Sequence, residues 1–190
     1  MEIFTFVLIG TLIAILIYGV MIYNNLVRLK HDVSKAWSNI DVLLKQRHDE
    51  LPKLVETCKQ YMQFEQETLE KVMLARSAVN NALRQGDVAA VGAAESQIRL
   101  GLGSLFAVAE NYPDLKANDT FLHLQSRITG LENSIADRRE FYNDSVNSNN
   151  VRIEQFPDII LAKRFGFKPA ILLEFDEAEL TDVDMSKLFS

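Results

Sequence analysis

The chain has 190 residues, with 20 basic against 26 acidic side chains and a net charge of −6, which argues against a general nucleic-acid-binding role. Its single cysteine, Cys58, excludes an intrachain disulfide and a cysteine-held zinc. Four prolines and eight glycines are few breakers for this length, and the chain reads as all-helical.

The first element is the run 3–22. It carries no charge, and its polar side chains are Thr5, Thr11 and Tyr18. A hydroxyl in a helix can bond back to its own backbone. At 1.5 Å per residue, twenty residues span roughly 30 Å, the thickness of a bilayer's hydrocarbon core. Lipid offers backbone groups no partner, so the run is expected to be a transmembrane helix. A cleaved leader would need a basic start and a small-residue cleavage site. Here Glu2 precedes the run and Tyr23-Asn24-Asn25-Leu26 follows it, so the expectation is an anchor that stays attached. Arg28, Lys30 and Lys35 flank its C-terminal side, which predicts the N-terminus outside and the body in the cytoplasm. Tyr18 and Tyr23 stand near the inner interface.

Residues 1–23 are thus the anchor, and about 165 residues remain, enough for a domain with its own core. Residues 24–157 read as a bundle of long helices, expected at about 24–50, 52–84, 88–111 and 119–155. In the first, Leu26, Leu29, Val33, Trp37, Ile40, Leu43 and Leu44 recur at three- and four-residue steps, so the anchor helix runs on into the body. Trp37 reads as an interhelix anchor. Pro52 interrupts the pattern, by a kink or a reversal. The stripe resumes at Leu54, Cys58, Tyr61, Glu65, Leu69, Val72, Arg76, Val79 and Leu83. On it Cys58 reads as a small core hydrophobe. Gln85-Gly86-Asp87 is a stop, a turn and a new cap.

The third helix has glycines at 92, 101 and 103, which suggest close helix-to-helix approach. Tyr112-Pro113-Asp114 ends it, and Asn118 or Asp119 caps the fourth. That helix carries Phe121, Leu124, Ile128, Leu131, Ile135, Tyr142, Val146, Asn149 and Ile153 at near-heptad spacing. Its second half is rich in asparagine, and polar groups on a packed face need partners, so an interaction surface is expected there. Phe156-Pro157 closes it. Residues 158–190 form an irregular tail, apolar over 159–175 and then acidic through Asp184. The apolar part is too short and too charged for a second span. It could pack on the bundle, the membrane or a partner, and the acidic part could be a solvated or a docking tail.

Motifs for chemistry are sparse. His48-Asp49-Glu50 is the one dense cluster, and it lacks the second histidine of a helical zinc site. Gly101-Leu102-Gly103 lies within a helix with no preceding strand, so it is no phosphate loop. Nucleophile elbows and kinase signatures are missing. No catalytic, metal or cofactor-binding residue is assigned, no cofactor is expected, and the chain is expected not to be an enzyme.

The runs Tyr23-Asn24-Asn25-Leu26-Val27, Ala36-Trp37-Ser38-Asn39-Ile40-Asp41 and Asp49-Glu50-Leu51-Pro52-Lys53-Leu54-Val55 resemble the LemA family of bacterial membrane proteins. So do residues 104–118, Tyr142-Asn143, Phe156-Pro157 and Phe165-Gly166-Phe167-Lys168-Pro169. The likeness covers most of residues 18–170. It departs at Ser148-Asn149, where the family often has Tyr-Asn, and at Phe64-Glu65, where His-Glu is common. The resemblance implies an N-terminal anchor, a cytosolic bundle of long helices and no established enzymatic activity. It also suggests work in envelope organisation or membrane-protein quality control.

The function expected is a single-pass scaffold or adaptor at the bacterial inner membrane. Its partners would be the lipid bilayer and either other membrane proteins or further copies of itself, without nucleic acid or an identified small-molecule substrate. Self-association is suggested by the stripe from Leu26 to Leu44, which a lone helix could not leave bare. The alternatives are an accessory factor of membrane-protein quality control and an unrecognised metal-dependent enzyme resting on His48-Asp49-Glu50.

Overall fold

A computed structural model describes residues 1–62 and 64–175. Its helices are α1 (Glu2–Lys59), α2 (Gln66–Gln85), α3 (Val88–Ala109), α4 (Pro113–Lys116), α5 (Asp119–Glu154) and α6 (Asp158–Phe165). Among the described residues there is no strand. The acidic stretch from Asp176 onward, expected to be a tail, lies outside the described residues. Two compact units are formed, and each is built from segments distant in sequence.

One unit comprises Met1–Asn39 and Glu140–Ile171. In it the outer part of α1 stands bare: from Ile3 to Met21 its large apolar side chains are about half exposed or more. Cover begins at Ile22 and Leu26, which pack with Ile153 and Ala162. Further along, the Trp37 and Tyr142 rings lie 5.4 Å apart, so Trp37 is the interhelix anchor its position suggested. The pairs Leu26 with Ile153 and Trp37 with Tyr142 run in opposite chain directions, so the two helical segments are antiparallel. Leu26 and Ala36 are almost fully buried. This part of the stripe is therefore covered by the chain's own α5 and is not left bare.

The other unit contains Ile40–Arg139 and the residues from Leu172 on. Its core joins Leu51, Leu54 and Cys58 of α1, Leu69, Val72 and Val79 of α2, Ile98, Leu102 and Leu105 of α3, and Phe121, Leu124 and Ile128 of α5. This is an antiparallel four-helix arrangement. Cys58 is fully buried, and burial pushes its thiol pKa up to about 12, as befits a core side chain and not a nucleophile. Val72 of α2 meets Gly101 of α3, where an added Cβ would lie 3.2 Å from Val72 Cγ2, so this glycine does mark a close helix approach. Between these helices Gly86 adopts the left-handed conformation (φ 68°) and Asp87 caps Ala90 N–H at 3.0 Å, as the Gln85-Gly86-Asp87 signal required.

Two expectations need correction. Of the two alternatives at Pro52, the reversal does not occur, because α1 continues to Lys59. The chain reverses instead between Lys59 and Gln66, where no proline or glycine occurs. There Cys58 C=O accepts from both Tyr61 N–H (3.0 Å) and Met62 N–H (2.8 Å), while Met62 is buried and Phe64 is 92% exposed. Burial of Met62, a tertiary effect, sets the turn. The tail is also not irregular from residue 158, since Asp158–Phe165 is helical.

Gly92 serves a different purpose from Gly101. A Cβ there would overlap the Glu174 carbonyl oxygen, so it marks where the extended segment 172–175 crosses α3. Leu173 is buried beside it, and the Arg139 guanidinium lies 3.9 Å from the Phe175 ring centre. Residues 172–175 thus dock on this helical unit through Leu173, Phe175 and the Glu174 backbone. Gly92→Ala is expected to lift the segment and forfeit the burial of Leu173, about 2 kcal/mol. Hydrogen exchange should show backbone amides near residue 173 losing protection while α2 and α3 keep theirs. Unchanged protection near residue 173 would refute the contact.

Candidate interaction surface and buried charge network

The asparagine-rich half of α5 was the expected interaction surface, and the structure shows what occupies part of it. Asn150 Nδ2 donates to Ala170 C=O at 2.9 Å, and its Oδ1 accepts from Ala170 N–H at 2.8 Å. Tyr142 O–H donates to Ile171 C=O at 2.8 Å. Asn149, itself buried, donates to Asn150 Oδ1 at 3.1 Å. These polar side chains satisfy the backbone of the chain's own extended segment, as buried polar groups require. Removing the clamp by Asn150→Leu costs two hydrogen bonds, about 1 kcal/mol each. Exchange of the Ala170 amide is then expected to quicken by roughly ten- to thirtyfold. A rate equal to that of the parent would refute the clamp.

The second constellation lies in the four-helix unit. Arg47 of α1, 1% exposed, donates to Glu95 of α3 and to Glu132 of α5. Arg99 approaches the other Glu132 oxygen at 3.9 Å. Two guanidinium groups thus face two carboxylates, and the cluster is electrically balanced. Burial alone would lower the Arg47 pKa, but the attraction of Glu95 and Glu132 outweighs it and holds the cation charged. For Glu95, burial pushes the carboxyl up from its usual range, and Arg47 offsets only part of this. Neither Arg47 nor Glu95 was singled out in the sequence, although both occupy stripe positions. Arg47 falls in the series Ile40, Leu44, Arg47, Leu51, and Glu95 in the series Val91, Glu95, Ile98, Leu102. A charge at a core position was the available signal.

His48, Asp49 and Glu50 do not converge. Successive helix positions point about 100° apart. Glu50 turns inward and pairs with Arg127 at 2.9 Å and Lys53 at 3.1 Å. Asp49 is exposed. Burial first, and then the nearby Arg76 charge, lowers the His48 pKa. Among the described residues no group of three or more histidine, cysteine or acidic side chains is placed to hold a metal ion. Asn118, offered with Asp119 as a cap, is the one used: its Oδ1 accepts from Phe121 N–H at 2.9 Å, and its Nδ2 donates to Tyr61 O–H at 3.1 Å.

The sequence profile of the LemA family matches residues 36–186. The chain belongs to the LemA family. It is similar to Protein LemA of Metamycoplasma hominis, 32% identical over 167 residues that cover 87% of this chain and 74% of that one. It is also similar to Magnetosome protein MamQ 2 of Paramagnetospirillum magneticum, 27% identical over 192 residues, covering 89% of this chain and 71% of the relative. Magnetosome protein MamQ of Magnetospirillum gryphiswaldense is 26% identical over 181 residues, covering 83% and 66%. None of these names denotes an enzyme. The N-terminal part of α1 is long and apolar enough to cross a membrane, and none of its most apolar stretch is buried in the fold. This LemA-family chain is accordingly a membrane-associated helical protein.

Proposed function

We propose that this LemA-family chain is a single-pass membrane-anchored scaffold or adaptor of the bacterial inner membrane, without chemistry of its own. The observation that carries the proposal is α1 itself. Its outer twenty residues are bare and apolar, and the same unbroken helix is then covered by α5 from Ile22 onward. Bare apolar surface of that length suits lipid and no aqueous setting. The N-terminus lies outside and the helical body in the cytoplasm, a reading supported by Arg28, Lys30 and Lys35 beyond the span. Anchoring confines a docking surface to one plane and raises the effective concentration of partners in that membrane. Those partners are other membrane proteins or further copies of the chain, met through helix faces. Crosslinking in intact cells followed by mass spectrometry tests this. Reproducible crosslinks to membrane proteins or between copies are expected. A chain recovered from the soluble fraction, with no specific crosslink, would overturn it.

A further inference from the structure

Immediately beyond the apolar span, the unit formed by Met1–Asn39 and Glu140–Ile171 contains a cavity of about 510 Å³. Its cationic lining is Lys30 and Lys168, with His31 beside them, and no carboxylate lines it. Its aromatic lining is Tyr23, Phe165 and Phe167. The Phe165 ring lies edge-on to Tyr23 at 4.8 Å and the Phe167 ring at 6.0 Å. Between the two phenylalanines, Gly166 at φ 71° turns the chain so that both reach Tyr23. Neither lysine has a carboxylate partner among the described residues, although ion pairs occur elsewhere in the fold.

The position of this cavity decides its chemistry. Residues 23–30 of α1 cover about 12 Å beyond Ile22. That takes in the headgroup layer of a bilayer, roughly 5–8 Å thick, and the water next to it. Lysine stems bend to bring their ammonium groups to that level. Aromatic rings are at home at the same depth. The neighbouring surface agrees: Phe156, Ile160 and Phe165 are large, apolar and exposed, and Lys163 and Arg164 end α6 with exposed charge. A pocket lined by cations and aromatics and by no acid matches an anionic group attached to a hydrocarbon. We infer that this cavity binds the headgroup of an anionic phospholipid, with Lys30 and Lys168 on the phosphate and Tyr23, Phe165 and Phe167 against the glycerol and upper acyl region. The inference rests on the membrane-anchored reading above.

Native mass spectrometry of the full chain, released from micelles holding equal phosphatidylglycerol and phosphatidylcholine, tests it. One retained phosphatidylglycerol per chain is expected, favoured over phosphatidylcholine on the order of twentyfold. Lys30→Gln with Lys168→Gln should abolish that preference, whereas Lys45→Gln with Lys71→Gln should leave it intact. Equal retention of the two lipids, or a preference that survives loss of Lys30 and Lys168, overturns the site. Excess glycerol phosphate should not displace the lipid; displacement would identify a site for a soluble phosphate and overturn the lipid assignment. Flotation of the same protein with phosphatidylcholine vesicles separates the two readings. A chain that floats without lipid preference loses only the pocket, and one that does not float loses the anchor as well. Circular dichroism of the variants checks that the helices remain.

Discussion

Arg47→Met should be the most damaging single substitution in the four-helix unit. It leaves Glu95 fully buried without its cation. Stranding one member of a buried ion pair costs about 3–5 kcal/mol. For a chain of this size that lowers the melting temperature by about 10 °C. Because Glu95 already has a raised pKa, removing its cation raises it further. A carboxyl whose folded pKa lies above its unfolded value favours folding fully below the unfolded pKa and loses that benefit as pH rises through the folded one. The deficit of Arg47→Met is therefore greatest at neutral pH and shrinks as pH falls toward the usual glutamate range. Adding Glu95→Met should restore most of the loss, since a buried pair replaced by apolar side chains of similar volume is often neutral or better. Two buried atoms favour that recovery: Arg47 Nε and Glu95 Oε2 have no hydrogen-bond partner among the described residues. Thermal melts of the full chain in detergent, followed by circular dichroism, measure all three variants. A single variant as stable as the parent, or a double variant worse than the single, would refute this account.

Which parts of this fold could be read from the sequence follows from where the decisive interactions lie. The span, the Gly86-Asp87 turn and the Asn118 cap are local, and local composition announces them. Cys58, Trp37 and Ile128 were legible because helical periodicity marks a buried face even when its partner is unknown. The reversal at residues 60–65 was not legible, because it depends on Met62 finding a core formed by distant residues. Asn149 and Asn150 were legible as polar groups needing partners. That their partner is the chain's own Ala170 required the fold. The cavity beside Tyr23 was hidden for the same reason: Lys30 and Lys168 are far apart in sequence, and only the return of the chain after α6 brings them together. Arg47 and Glu95 stand in the core register of their helices, but the partners that let such charges be buried lie on other helices and only the fold shows them.

Arg76→Met is expected to cost about 1–3 kcal/mol, and almost all of that cost should vanish when Pro52 is first replaced by alanine. Proline has no N–H, so Pro52 cannot donate to the carbonyl of His48 four residues earlier. Inside a long helix that carbonyl would be left without its usual partner. In the structure Arg76 Nε of α2 donates to it at 2.9 Å. An arginine on a largely apolar stripe thus has a definite task, and α1 passes through Pro52 because a neighbouring helix supplies the missing donor. Pro52→Ala returns the backbone N–H, and His48 C=O then has an intrahelical donor again. In that background the guanidinium is redundant, and Arg76→Met should cost no more than a few tenths of a kcal/mol through this bond. The coupling energy of the double-mutant cycle, read from denaturant midpoints of the full chain, should be about 1–3 kcal/mol. A coupling near zero would mean that Arg76 stabilises the unit through packing alone and that α1 tolerates Pro52 for some other reason. A coupling of the expected size would tie the continuity of α1, on which the anchored reading depends, to one side chain of its neighbour.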